Sequence, residues 1–222
     1  MYENTSNKKN LLWKGKPHVF QVLEDKPPTT ITYIYNSALG KYVWRYNKPK
    51  DKKEYRCESR NIVVDGKGYK WVENKTYKIS WSFNVPEATS EYGDFVIFQW
   101  KSYPNGKQNY PFLITINKNK IILTYVSTGD DNGKKWHRIW THDIKDNEWN
   151  NAALTLHLSD DETVGWITWE YNGEMQKLDG KDKYPARTLD GSNEPKWGVY
   201  NRDKPEHAME QLVGNLKVEI LE

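Results

Sequence analysis

One cysteine is too few for an intrachain disulfide, so these 222 residues are held together by packing and not by covalent staples. That cysteine, Cys57, lies between Arg56 and Glu58. Alternation along an extended segment turns it away from both, and it reads as a small core filler, not a catalytic thiol. No apolar run approaches the ~18 residues a membrane-crossing helix needs. The polar start, Met1 to Asn10, also has no export-signal core; residues 1–10 are expected to be a flexible leader to one domain over 11–222. An excess of one charge is missing too. Thirty-three Lys and Arg stand against 30 Asp and Glu, a net of +3, which argues against a nucleic-acid binder built on a broad basic stripe. Helical periodicity is hard to find anywhere, which leaves strands.

Aromatic rings are plentiful. Trp (11) and Tyr (15) lift the aromatic share to 14% while the whole hydrophobic share is only 36%, so much of the core must be built from rings with polar tips. Strand-like segments rich in β-branched and aromatic residues recur at 30–35, 41–46, 77–85, 95–100, 112–116, 121–127, 136–141, 153–158, 166–171, 197–200 and 216–220. Gly, Pro, Asn and Asp punctuate them, and Asn117 to Lys120 and Asn172-Gly173 read as tight hairpin turns. An antiparallel all-β sandwich follows. The irregular stretches 48–54, 102–110, 128–135 and 179–195 are expected to wall a groove. Asp130-Asp131-Asn132-Gly133 and Asp160-Asp161-Glu162 have calcium-like composition without an EF-hand spacing. Ordinary acidic turns are the simpler reading, so no metal or other cofactor is expected.

Three segments concentrate chemistry. Alternation in Lys196-Trp197-Gly198-Val199-Tyr200-Asn201-Arg202 places Lys196, Gly198, Tyr200 and Arg202 on one face, two cations, a phenol and a gap in which a flat sugar can lie against backbone. Arg56, Glu58 and Arg60 share a second face, and Phe98-Gln99-Trp100-Lys101 directs Gln99 and Lys101 one way. Each alone also fits a solvated strand face with alternating charges.

Together the three resemble the signature strands of the β-jelly-roll polysaccharide lyases. Alginate lyases carry R-S/T-E-L-R, Q-I/V-H and K-A-G-I/V-Y-N-Q strands, and the heparin lyase I and glucuronan lyase relatives share the K-x-G-x-Y ending. Arg56, Glu58 and Arg60 match the first by spacing, Gln99 the second, and Lys196, Gly198, Tyr200 and Asn201 the third, in the same order. Lys101 stands where many of these lyases have histidine. The resemblance implies a jelly roll of two antiparallel sheets with a concave groove, acting as an extracellular or periplasmic monomer on an anionic polysaccharide. It involves neither nucleic acid nor membrane.

Lyase cleavage of a uronate polymer removes the proton at C5, beside the carboxylate, and expels the oxygen at C4. The site must therefore stabilise a second negative charge next to an ionised carboxylate. The resemblance assigns that task to Arg56 and Gln99 and makes Tyr200 the proton donor and a candidate base, with Lys196 expected to lower its pKa. Arg60, Glu58, Lys101, Trp100, Gly198, Asn201 and Arg202 are the expected substrate contacts. His142 and His137, near a strand end, and His18 are alternative bases. A non-catalytic sugar-binding module would use the same groove without turnover. A glycoside hydrolase would need two flanking carboxylates, and the strand Trp166 to Glu170 supplies one.

Overall fold

The computed structural model describes residues 11–14, 19–90, 93–104, 106–129 and 135–221. Among them there is no helix, and so none long and apolar enough to cross a membrane. The leader 1–10, His18 and the 130–133 acidic run lie outside the described residues. The strands are, in chain order, β1 (Leu11–Lys14), β2 (Phe20–Glu24), β3 (Thr30–Asn36), β4 (Lys41–Lys48), β5 (Arg56–Val64), β6 (Lys67–Gly68), β7 (Thr76–Asn84), β8 (Asp94–Ser102) and β9 (Phe112–Asn117). They continue with β10 (Lys120–Val126), β11 (Trp136–Asp143), β12 (Trp149–His157), β13 (Trp166–Tyr171), β14 (Glu174–Gln176), β15 (Tyr184–Pro185), β16 (Asn193–Tyr200) and β17 (Met209–Ile220).

Two antiparallel sheets form a jelly roll. One runs β14-β13-β12-β7-β17-β4-β3, with β1 also on β17 and β15 on β13; the other runs β11-β10-β9-β8-β16-β5-β2, with β6 beside β5. The hairpin turns fall where the sequence placed them. Asn172 and Gly173 both adopt positive φ between β13 and β14, as a two-residue hairpin requires, and Lys118 does so between β9 and β10.

Rings fill the space between the sheets. Trp81 of β7 stacks on Phe98 of β8 at 4.8 Å, and Trp197 of β16 packs against Trp13, Phe20 and Phe98. Polar tips are joined across the gap, as where the Tyr46 and Ser59 hydroxyls meet at 2.6 Å. Cys57 is buried on this inner side with its thiol against the Thr30 carbonyl, and burial pushes that thiol up to about 12, which keeps it protonated and inert.

Strand β16 lies between β8 and β5, so the three chemistry-bearing segments are neighbours in one sheet. Lys196 pairs with both Arg60 and Gln99, while Tyr200 pairs with Arg56 and Val96. The ladder to β5 is unbroken. The ladder to β8 slips between Trp197 and Tyr200, and β8 in turn slips against β9 between Val96 and Phe98. Consequently Ile97 and Phe98 both enter the core although they are adjacent, and Gln99 and Lys101 emerge on the outer face.

Candidate active site

The outer face of this sheet gathers the charged positions in rows. Arg56 of β5 reaches over the Tyr200 ring of β16, its guanidinium carbon 5.1 Å from the ring centre, and over Tyr55 at 4.8 Å; the two rings meet edge to face at 5.8 Å. Arg56 lines one cleft of about 510 Å³ with Leu23, Glu24, Lys53 and Tyr55. Tyr200 lines a second groove of about 600 Å³ with Gln99, Tyr110, Leu113, Trp136 and Arg202. The Arg56–Tyr200 contact therefore stands at the divide between two spaces, each large enough for sugar residues.

Behind that contact is a compact ion network. Glu58 accepts the Gln99 amide at 2.6 Å on one oxygen and the Lys196 ammonium at 2.9 Å on the other. Lys196 also donates to Glu24 of β2 at 2.7 Å, and the same Glu24 oxygen takes Arg56 at 3.2 Å. Burial works to raise the Glu24 carboxyl, but Lys196 and then Arg56 outweigh it and hold it below the usual carboxylate value. The same pairs, Glu58 first and Glu24 next, overcome burial and raise the Lys196 ammonium.

Several expectations need correction. Lys196 is only 1% exposed and Glu58 2%, with their polar atoms engaged by each other, Gln99 and Glu24, so in this structure they lie beneath the face and brace Gln99 and Arg56 from below. Lys196 does not lower the Tyr200 phenol either: burial raises it, Arg56 pulls only partly back, and the net value is above the ordinary one. Trp100 faces the core, fully buried, with its indole N–H donated to the Thr188 carbonyl, because alternation from Gln99 sends it inward. Gly198 leaves no sugar slot. A Cβ there would lie 2.2 Å from the Cys57 carbonyl oxygen, and its φ is +133°, so β5 is what requires the glycine. Asn201 is a loop brace, its amide donating to the Asp94 carbonyl and its oxygen accepting the Asp203 and Lys204 amides.

The two described candidate histidines, His137 and His142, lie on the inner side of the sheet. His137 pairs with Tyr125 and stacks on its inward-facing ring, while His142 stacks on Trp140 and packs against Tyr171. Both use the inner parity of edge strand β11, opposite to the face that carries Gln99. Asp161, in the second acidic run, closes a local turn by accepting the Thr163 amide and hydroxyl, each at 2.8 Å. Among the described residues no cluster of His, Cys, Asp and Glu is placed to hold a metal ion.

Some groups were not singled out from sequence. Glu194 pairs with Arg60 at 3.4 Å, and its position two residues before Lys196 on the same alternation was a readable signal. Tyr103 lies under both Arg60 (4.4 Å) and Lys101 (4.8 Å). Lys101 donates to the carbonyls of Ser102 and Asn109 and to the Asn109 side chain; burial first, then Lys196 and Arg56, draw its ammonium down to about 8. Tyr110 and Trp136, 5.5 Å apart, form an aromatic wall from a loop and an edge strand. The loop that carries Tyr103, Asn109 and Tyr110 is pinned by Asp190, one oxygen of which accepts the amides of Gly106, Lys107 and Gln108 while the other takes Arg187 at 2.8 Å.

The fold is a jelly roll, and one of its sheets carries a tyrosine under an arginine, backed by a Gln–Glu–Lys lattice. Its family is set by the match of the polysaccharide lyase model over residues 19–213: the chain belongs to that family and is a polysaccharide lyase. Among solved structures it is similar to the endo-β-1,4-glucuronan lyase of the fungus Trichoderma reesei, at 13% identity and a TM-score of 0.67 over 93% of each chain. It is also similar to the alginate lyase of Corynebacterium sp., at 15% identity and 0.60 over 88% of this chain and 82% of that one. A third similar structure is the binding domain of botulinum neurotoxin DC in complex with SialylT, at 10% identity and 0.56 over 89% of this chain and 42% of that one. No curated protein matches the sequence.

Proposed function

We propose that this lyase cleaves a uronic-acid-containing anionic polysaccharide by β-elimination at the Arg56–Tyr200 divide. The carrying observation is the Arg56 guanidinium poised over the Tyr200 ring between two clefts, which puts a permanent cation and a phenolic O–H within one sugar of each other. Arg56 offers its planar fork to the uronate carboxylate. Gln99, oriented by Glu58, supplies the second amide hydrogen as a neutral donor to the charge that develops at C5 and its carboxylate.

Burial keeps the Tyr200 oxygen protonated at rest, which suits donation to the departing C4 oxygen. Taking the C5 proton needs a different group, and Lys101 is the one supported by position and titration. It lies on the same face as Gln99, on the side away from Tyr200 in the ladder, and its value of about 8 supplies neutral amine near physiological pH. A neutral amine keeps two N–H donors for the Ser102 and Asn109 carbonyls, and its lone pair becomes available once the Asn109 side-chain oxygen turns aside. The proton passes from C5 to that lone pair, the C5 electrons form the C4–C5 double bond, and the C4–O bond breaks as Tyr200 protonates the oxygen.

The test is a panel of glucuronan, alginate and heparin-like chains followed by the ultraviolet absorbance of an unsaturated uronyl end. Absorbance growing with new chain ends is the expected result. Binding without absorbance on every polymer would leave a sugar-binding module, and new reducing ends without absorbance would mean hydrolysis.

A further inference from the structure

In the site's central rows Arg56, Arg60 and Lys196 each meet at least one carboxylate, which is an unusual way to build a face for a polyanion. Arg56 and Lys196 share Glu24, Lys196 and Arg56 also meet Glu58, and Arg60 meets Glu194. Three cations thus face three carboxylates, and Lys101 is the excess. The next shell repeats the pattern, with Lys204 on Asp94 at 3.1 Å. A chain with one carboxylate per sugar can exchange for a single partner at Arg56. A sulfated chain brings further fixed charges beside Glu24 and Glu194, where like charges repel.

We infer that Glu24 and Glu194 are specificity-determining residues that tune this groove to unsulfated polyuronates and exclude sulfated ones. Glu58 lies beneath the face and acts through Gln99 and Lys196, whereas Glu24 lines the Arg56 cleft directly and the Glu194 side chain retains 14% exposure beside Arg60. The acids therefore do two things at once: they hold the arginines in register, and they lower the field that would otherwise attract any dense anion. The inference rests on the uronate-polymer reading of the same site.

Binding of unsulfated polyglucuronate and heparin tetrasaccharides is measured by calorimetry at one ionic strength, in a Tyr200→Phe background that slows their consumption about 10²-fold or more. The unsulfated ligand should bind at least ~10-fold tighter, and Glu194→Gln or Glu24→Gln should each narrow that ratio ~3-fold or more, chiefly by tightening heparin. Because Glu24 also supports the buried Lys196, Glu194→Gln carries the test if Glu24→Gln does not fold, and Glu194→Asp should retain the discrimination. Heparin binding as tightly as the unsulfated chain, or a ratio unchanged in Glu194→Gln, would overturn the inference even if wild-type protein produces unsaturated ends. Discrimination that persists while wild type yields no unsaturated ends on any polymer would sink the elimination reading and leave this inference standing.

Discussion

Replacing Lys196 by methionine keeps the length of the side chain and removes a cation that is 1% exposed and bonded to two carboxylates. Glu58 would then keep only the Gln99 amide and a 3.8 Å approach of Arg56 to offset a charge inside the protein. Breaking one side of a buried pair costs about 3–5 kcal/mol, because the remaining charge is left uncompensated. Adding Glu58→Gln removes that charge, so the double variant should recover at least ~1 kcal/mol over Lys196→Met alone. The assay is urea unfolding followed by tryptophan fluorescence at pH 7, with an unchanged m-value as the check that the denatured state is the same. The pH dependence has a definite sign. Glu24 is held below its ordinary 4.5, so its contribution is present above that pH and lost as pH falls through the folded value; Lys196 is held above its ordinary 10.5, so its contribution is present below that pH and lost as pH rises through the folded value. Lys196→Met should flatten both limbs. A loss under ~1 kcal/mol, or a double variant no more stable than the single, would refute the view that the lattice is held by buried charge pairing.

Other outcomes follow from the same geometry. Tyr200→Phe preserves the ring under Arg56 and should lower turnover about 10²-fold or more while polymer binding survives, read from initial rates and calorimetry; near-normal turnover by the folded variant would remove Tyr200 as donor. Arg56→Ala should damage both KM and kcat, since the guanidinium meets the carboxylate before and during reaction. Turnover at saturating substrate should rise with pH through about 8 as Lys101 loses its proton, and Lys101→Met should abolish that limb together with most activity. Asp190→Ala leaves three loop amides without their acceptor and should cost about 3–5 kcal/mol in urea unfolding. It should also weaken substrate binding through Tyr103, Asn109 and Tyr110.

The parts of this molecule legible in its sequence are those written in local alternation. The strands from Thr30 to Tyr171 and the Asn172-Gly173 hairpin follow from period-two patterning and turn chemistry; most observed strands run one to a few residues beyond the expected ends, while β7, β10 and β12 stop one residue short of the expected C-terminal end and β13 matches its bounds. The shared face of Arg56, Arg60, Gln99, Lys196 and Tyr200 follows from the same alternation once β5, β16 and β8 are adjacent, and that adjacency came from family resemblance. What alternation cannot report is what lies across a ladder. Glu24 belongs to a short strand that joins β5 from distant sequence, so its grip on Arg56 and Lys196 had no local signature. Gly198 was misread for a related reason: its demand comes from the backbone of Cys57 on the neighbouring strand. Trp100 was misassigned against its own parity, which pointed inward.

The two slips in β8 and β16 make the active face depend on counting as much as on chemistry. Between Val96 and Gln99 the chain spends two consecutive residues on the interior, and that extra step is what brings Val96 and Gln99 out on the same side. Deleting Ile97 would restore a regular pleat and leave Val96 and Gln99, then two residues apart, on the same outer face, whereas deleting a residue outside the slip, such as Trp100, would turn one side of the cut through the sheet, so that either Lys101 or Gln99 would face the core. The catalytic surface thus has a reading frame. Many side-chain replacements around it should be absorbed as graded losses, whereas a one-residue insertion or deletion in β8 outside its slip should behave as a frameshift does in a message, with every later position correct in identity and wrong in meaning.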